Sequence, residues 1–120
     1  MIIVDSSVWI DHFRIHHGGL AALLDERLAL MHPFVLGEIA LGNLREPEAV
    51  LGAAGRLPRP AVAEPAEVLN LIASAGFAGS GIGYVDAHLI ASTMLTAKGR
   101  LWTRDKRLLA VAERLEIAFN

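Results

Sequence analysis

The sequence contains no cysteine. Disulfide staples and thiolate metal sites are therefore excluded, and a reducing cytoplasm is the expected setting. A basic leader is also missing: Asp5 interrupts the first apolar run in MIIVDSSVWIDHF, unlike a secretory signal. The apolar stretch Ala87 to Ala97 is too short and too polar to cross a bilayer, so a soluble, intracellular protein without a membrane partner is expected. Nor is there an excess of positive charge. Lys+Arg number 11 against 13 Asp+Glu, a net charge of −2, whereas general nucleic-acid binders are usually basic. The distribution says more than the sum. Lys98, Arg100, Arg104, Lys106 and Arg107 are opposed only by Asp105, and His12, Arg14, His16 and His17 form a second cluster. Local positive potential beside an acidic pocket is compatible with the acidic total.

What is present suits one domain, residues 1–120, with 53% hydrophobic residues to build its core. Met1 to Val4 reads as a short buried strand ending at Asp5, followed by a helix through Val8, Trp9, Ile10 and Phe13, capped by Ser6 or Ser7. After the break at Gly18-Gly19, Leu20, Leu23, Leu24 and Leu28 have amphipathic helical spacing. Ala29 to Met31 reads as a second strand, and Pro33 opens a helix to about Gly42. A short helix is expected from Glu48 to Ala54, a strand near Ala61-Val62, and a helix marked by Val68, Leu71, Ile72 and Ala75. A flexible loop from Gly76 to Gly83 precedes a buried helix from Tyr84 to Ala97. Leu101 to Thr103 is a strand, Leu108, Val111, Ala112 and Leu115 mark a last helix, and Glu116 to Phe119 forms a closing strand. Strands alternating with helices predict a three-layer α/β/α domain on a parallel sheet.

The informative residues are acids in apolar company. Asp5 and Asp105 each follow a predicted parallel strand, and ligands of open parallel sheets bind outside the strands' carboxyl ends. Glu38 sits in FVLGEIALG with Val35 and Ile39 on its own helical face, where a buried carboxylate is costly unless paired or coordinated. Asp86 opens the most hydrophobic helix, in GYVDAHLIAS. Each acid has an ordinary account: helix capping or a salt bridge for Asp5, a surface position for Glu38, the helix macrodipole for Asp86 and capping for Asp105. Their convergence would be different. Clustered like charges raise one another's pKa, and a divalent cation removes that conflict. Hard oxygen ligands suit Mg2+ or Mn2+, which can activate water and stabilise charge on an attacked phosphate.

At these residues the chain resembles PIN domains, specifically the VapC-type toxins of bacterial toxin–antitoxin pairs. The matching segments are IIVDSSVWID with Asp5, VLGEIALG with Glu38, GYVDAHLIA with Asp86 and LWTRDKRL with Asp105, in order across essentially the whole chain. The resemblance implies a PIN-like sheet of four or five parallel strands and an endoribonuclease dependent on Mg2+ or Mn2+. It implies a homodimer and a small antitoxin, often one that inserts a basic side chain into the acidic pocket. Asp5 and Asp86 would be direct metal ligands, with Glu38 and Asp105 binding directly or through water. Ser7 and Thr103 match hydroxyl positions that orient water or a ligand.

Arg104, Lys106 and Arg107 are candidate RNA phosphate contacts, with a solvated helix start as the plain alternative. His12 and His16 have zinc spacing but no third ligand, and His88 suits packing or an interface. Asp11 suits a structural pair with Arg14 as well as it suits a catalytic role. Trp9 and Trp102 suit the core better than base stacking. The glycines from Gly76 to Gly83 lack the Gly-Lys-Ser/Thr of a phosphate loop and suit a rim around the pocket. A receiver-like signalling domain is disfavoured because Ser-Ser follows Asp5 and no Asp lies between Asp25 and Asp86. The remaining alternative is a catalytically silent PIN-like binding module.

Overall fold

The computed structural model describes residues 1–15 and 18–120. Strands β1 (Ile2–Val4), β2 (Ala29–Leu30) and β3 (Arg100–Trp102) form a parallel sheet in the order β2-β1-β3. Ile2 and Ile3 pair with Ala29 and Leu30 on one side and with Arg100 and Leu101 on the other. Their apolar sequences fit strands buried on both faces. Ile3, Val4 and Leu101 are fully inaccessible, and each such side chain contributes about 1.5–3 kcal/mol through burial. Because all three strands run the same way, Asp5, His32 and Asp105 follow their carboxyl ends on one edge. β1 lies centrally with its successors on opposite sides, the topology that opens a crevice at that edge.

Helices α1 (Ser6–Arg14), α2 (Gly18–Asp25), α3 (Pro33–Ala40), α4 (Pro47–Gly55), α5 (Pro65–Ser74), α6 (Tyr84–Leu95) and α7 (Lys106–Arg114) flank the sheet. Proline opens α3, α4 and α5, where its missing N–H costs no helical bond. α6 is buried continuously from Ala87 to Thr93 and packs on β1, β3 and α5. Gly99 closes its turn into β3: a Cβ there would come within 2.4 Å of the Thr93 carbonyl oxygen.

Several boundaries depart from the sequence reading, for local reasons. Asp5, not Ser6 or Ser7, holds the cap position of α1, and its side chain makes no capping bond. Gly18 begins α2 instead of separating helices, and Arg27, at a φ of 58°, leaves Leu28 beyond the helix. No strand forms at Ala61-Val62. The Ala61 carbonyl accepts from the Ser92 hydroxyl, while Pro58 and Pro60 have no N–H for a ladder.

The sheet consequently has three strands, not four or five, among the described residues. At the C-terminal end Leu101 donates to Ile117 and Phe119 donates back to Leu101, leaving a single bridge to Ala118. Glu116, at a φ of 60°, turns the chain just before this bridge and shortens the pairing. No helix among the described residues is long and apolar enough to cross a membrane.

Candidate active site

The edge is organised around Asp5. Its backbone N–H donates to the Trp102 carbonyl at 2.9 Å, tying the end of β1 to the end of β3. The residue is only 5% exposed, and Oδ2 accepts from Ser7 Oγ at 2.6 Å and Thr103 Oγ1 at 2.8 Å. Each hydroxyl has one proton and has given it to Asp5. Their mutual 3.4 Å approach is therefore a contact without a shared proton. Both oxygens accept in turn, Ser7 Oγ from the Arg104 N–H and Thr103 Oγ1 from the Asp105 N–H, each at 3.0 Å. A continuous network thus joins the β1–α1 junction to the β3–α7 junction. The pattern supplied the two hydroxyls but not their shared target, which depends on residues 98 positions apart.

The other acids are held locally. Asp86 Oδ2 accepts from the Gly83 N–H at 3.0 Å, and Asp105 Oδ1 caps α7 by accepting from Arg107 and Leu108 at 2.9 and 3.0 Å. Glu38 is exposed while Val35 and Ile39 are buried, so of its two readings the surface position holds. Desolvation still raises its pKa. A Ser6 hydrogen bond opposes that rise, while the charges of Asp5 and Asp86 add to it. Asp86 is raised likewise by desolvation, against its Gly83 bond, with further contributions from Asp5 and Asp105. All four acids therefore act on one another electrostatically through Asp86.

Among the described residues, no three acidic or histidine side chains stand close enough together to enclose a metal ion. The carboxylates share an edge without closing into a cage, because each is drawn to its own hydroxyl or amide donors. The donor set itself suits a hard cation: it consists of carboxylate oxygens, and the bonds to Asp5, Asp86 and Asp105 each use one oxygen only.

The cations at the rim differ. Arg104 pairs with Asp11 at 3.0 Å, so Asp11's ion-pair partner is Arg104, not Arg14, and Arg104 is already engaged. Arg107 has no ion pair among the described residues, and its stem packs on Gly81. Gly81 has a φ of +87°, and a Cβ there would lie 2.7 Å from Arg107 Cδ. The Arg107 guanidinium lies along the same glycine, since that Cβ would also come within 3.1 Å of Nε and 3.4 Å of one terminal nitrogen. Lys106 is exposed.

His16 and His17 lie outside the described residues, so the His12–His16 spacing does too; His12 itself packs against Trp9 and Phe13. Trp9 is buried and Trp102 packs on Phe119, both core roles. His88 is buried and touches the rings of Phe34 and Tyr84. One polar group escaped the sequence reading. His32 is fully buried at the cap of α3, where Nδ1 accepts from the Phe34 N–H at 3.0 Å. Burial first, then the charges of His88 and Arg59, lower its pKa to about 4. Its signal was present in Met31-His32-Pro33: a hydrogen-bonding side chain immediately before a helix-opening proline.

The PIN domain family model matches residues 2–114. Ribonuclease VapC32 of Mycobacterium tuberculosis, in strain CDC 1551 / Oshkosh and in strain ATCC 25618 / H37Rv, is 42% identical over 118 residues. Each alignment covers 98% of this chain and 95% of the relative. No solved structure matches the chain.

Proposed function

The chain belongs to the PIN domain family, and from that premise we propose that its acidic edge is the centre of a Mg2+- or Mn2+-dependent endoribonuclease. Ribonuclease function of the VapC type follows from 42% identity across nearly the whole of both chains. The receiver-like alternative falls with the family assignment. The observation that carries the catalytic assignment is the electrostatic coupling of Asp5, Glu38, Asp86 and Asp105 beyond the ends of parallel strands.

Asp5 and Asp86 would hold the cation, with Glu38 and Asp105 binding directly or through water. A divalent cation there supplies neutralisation of the acids, activation of water and stabilisation of phosphate charge. The chain's own residues do the positioning. Ser7 and Thr103 hold Oδ2 of Asp5, the Gly83 amide holds Asp86, and the α7 cap holds Asp105. Arg107, with Lys106 beside it, is the phosphate contact favoured by its unengaged charge, whereas Arg104 is occupied by Asp11.

The same reading assigns an RNA substrate, a small antitoxin that covers the acidic edge with a basic side chain, a homodimer, and a cytoplasmic setting. Purified protein should cleave RNA with Mg2+ or Mn2+ and stop with EDTA. Asp5→Asn should reduce the rate by on the order of 10²–10³-fold, the scale of losing preorganised electrostatic stabilisation. Equal cleavage by the variant would reject the site.

A further inference from the structure

Phe34 and Tyr84 are 39% and 49% exposed, unlike the buried aromatics Trp9 and Phe77. They belong to different helices but meet the same buried ring. Phe34 in the first turn of α3 and Tyr84 at the start of α6 lie 4.7 and 4.6 Å, centroid to centroid, from His88, at interplanar angles of 62° and 90°. Phe34 also contacts His32 at 5.1 Å. Two imidazoles that are 0% and 2% exposed thus support the exposed rings from inside.

Packing alone gives a poor account of this cluster. Among the described residues, His32 Nε2 and His88 Nδ1 are buried without hydrogen-bond partners, a costly arrangement for polar atoms. Both large rings nevertheless stay open to solvent. Their placement beside the acids supplies a reason. Phe34 is one helical turn from Glu38, and Tyr84 shares the first turn of α6 with Asp86. Phe34 and Tyr84 both touch His88, so the start of α3 and the start of α6 face a common space.

We propose that Phe34 and Tyr84, braced by His88, form a stacking platform for an unpaired nucleobase beside the phosphate held at the acidic edge. The inference rests on the nuclease reading and adds substrate-positioning residues to it. Aromatic faces accept any base, and rings fixed in advance lose little freedom when a base settles on them. The platform sets which nucleotide leaves its stack next to the cleaved bond.

The test uses the full chain carrying Asp5→Asn, with Mg2+ and a single-stranded RNA oligonucleotide containing 2-aminopurine. Binding should change the probe's fluorescence. Tyr84→Leu and Phe34→Leu should each weaken binding about tenfold and diminish that change, whereas Tyr84→Phe should retain both. With Asp5 restored, the leucine variants should raise KM about tenfold and leave kcat nearly unchanged.

Wild-type binding by folded leucine variants would overturn the proposal. So would a loss in Tyr84→Phe equal to that in Tyr84→Leu, since the hydroxyl and not the ring would then matter. A change in oligomeric mass with unchanged probe fluorescence would assign the face to protein contact and overturn it equally. If leucine destabilises the fold, Tyr84→Trp and Phe34→Trp must still bind. Ring-dependent binding without any metal-dependent cleavage by the wild type would reject the nuclease reading while the platform stood.

Discussion

The junctions β1–α1 and β3–α7 have the same plan: a parallel strand, then an aspartate at the cap position of a helix. They use the aspartate in opposite ways. Asp105 is exposed and spends Oδ1 on two amides of its own helix. Asp5 is buried, leaves its helix uncapped, and accepts hydrogen bonds from the hydroxyls of Ser7 and of Thr103 on the other junction. A strand–Asp–helix pattern therefore marks an edge residue without fixing its work. Neighbouring hydroxyls decide whether the acid caps a helix or is held inside the site.

The β2–α3 junction sharpens the comparison, because a histidine occupies the cap where the others carry aspartate. His32 has a folded pKa of about 4 against an ordinary 6.5. Between those values the unfolded chain binds a proton that the native chain refuses. Its contribution to stability is therefore intact above pH 6.5 and is lost as pH falls towards 4, up to about 3 kcal/mol. Denaturant titrations at pH 7 and 4.5 should detect this loss, and His32→Asn, which keeps a capping acceptor, should flatten it. His88, also lowered by burial, retains its own share in the variant. An unchanged pH dependence in His32→Asn would remove the distinction between this cap and the aspartates.

Thr103→Val tests the hydroxyl support directly. Asp5 would keep its charge and burial but lose one of two donors, at a cost of about 1.5–3 kcal/mol. Cleavage should fall about 10–100-fold, as when a group orienting a metal ligand is lost. Chemical denaturation and initial rates measure the two effects. Full stability in the variant would mean that Asp5 does not depend on the other junction.

The capping role of Asp105 is smaller. Asp105→Ala should lower stability by about 1 kcal/mol, while Asp105→Asn should stay within about 0.5 kcal/mol because its amide oxygen accepts the same bonds. Thermal melts separate them. If alanine and asparagine were equally stable, the exposed acid would not be acting as a cap, and its contrast with Asp5 would disappear.

How far the sequence reached follows from where each signal resides. Asp5, Asp86 and Asp105 were legible because strand ends and first helical turns are local features. The helix opened by Pro33 was visible for the same reason. The single donor network of Ser7 and Thr103 was not, because it depends on β1 and β3 being neighbours in space. Glu38 was left between a buried and a surface position, because helical periodicity cannot say how far an apolar stripe extends. The extra strand at Ala61-Val62 failed because a distant hydroxyl, that of Ser92, takes the carbonyl a ladder needs.

The ion pair between Arg104 and Asp11 was hidden similarly, and it yields the smallest prediction. Its members are 37% and 46% exposed, so water screens the attraction and both side chains lose freedom on pairing. Arg104→Ala should change stability by less than about 0.5 kcal/mol, within the scatter of most surface substitutions. Arg107→Ala is the informative partner. Arg107 and Arg104 flank the same acid, but among the described residues only Arg104 has a carboxylate to satisfy it. Removing Arg107 should weaken RNA binding and lower the slope of log affinity against log salt by about 1, while Arg104→Ala should leave that slope nearly unchanged. Binding isotherms at several salt concentrations read both slopes. Equal slope changes would show that RNA draws Arg104 away from Asp11, making the two sides of Asp105 equivalent on the substrate.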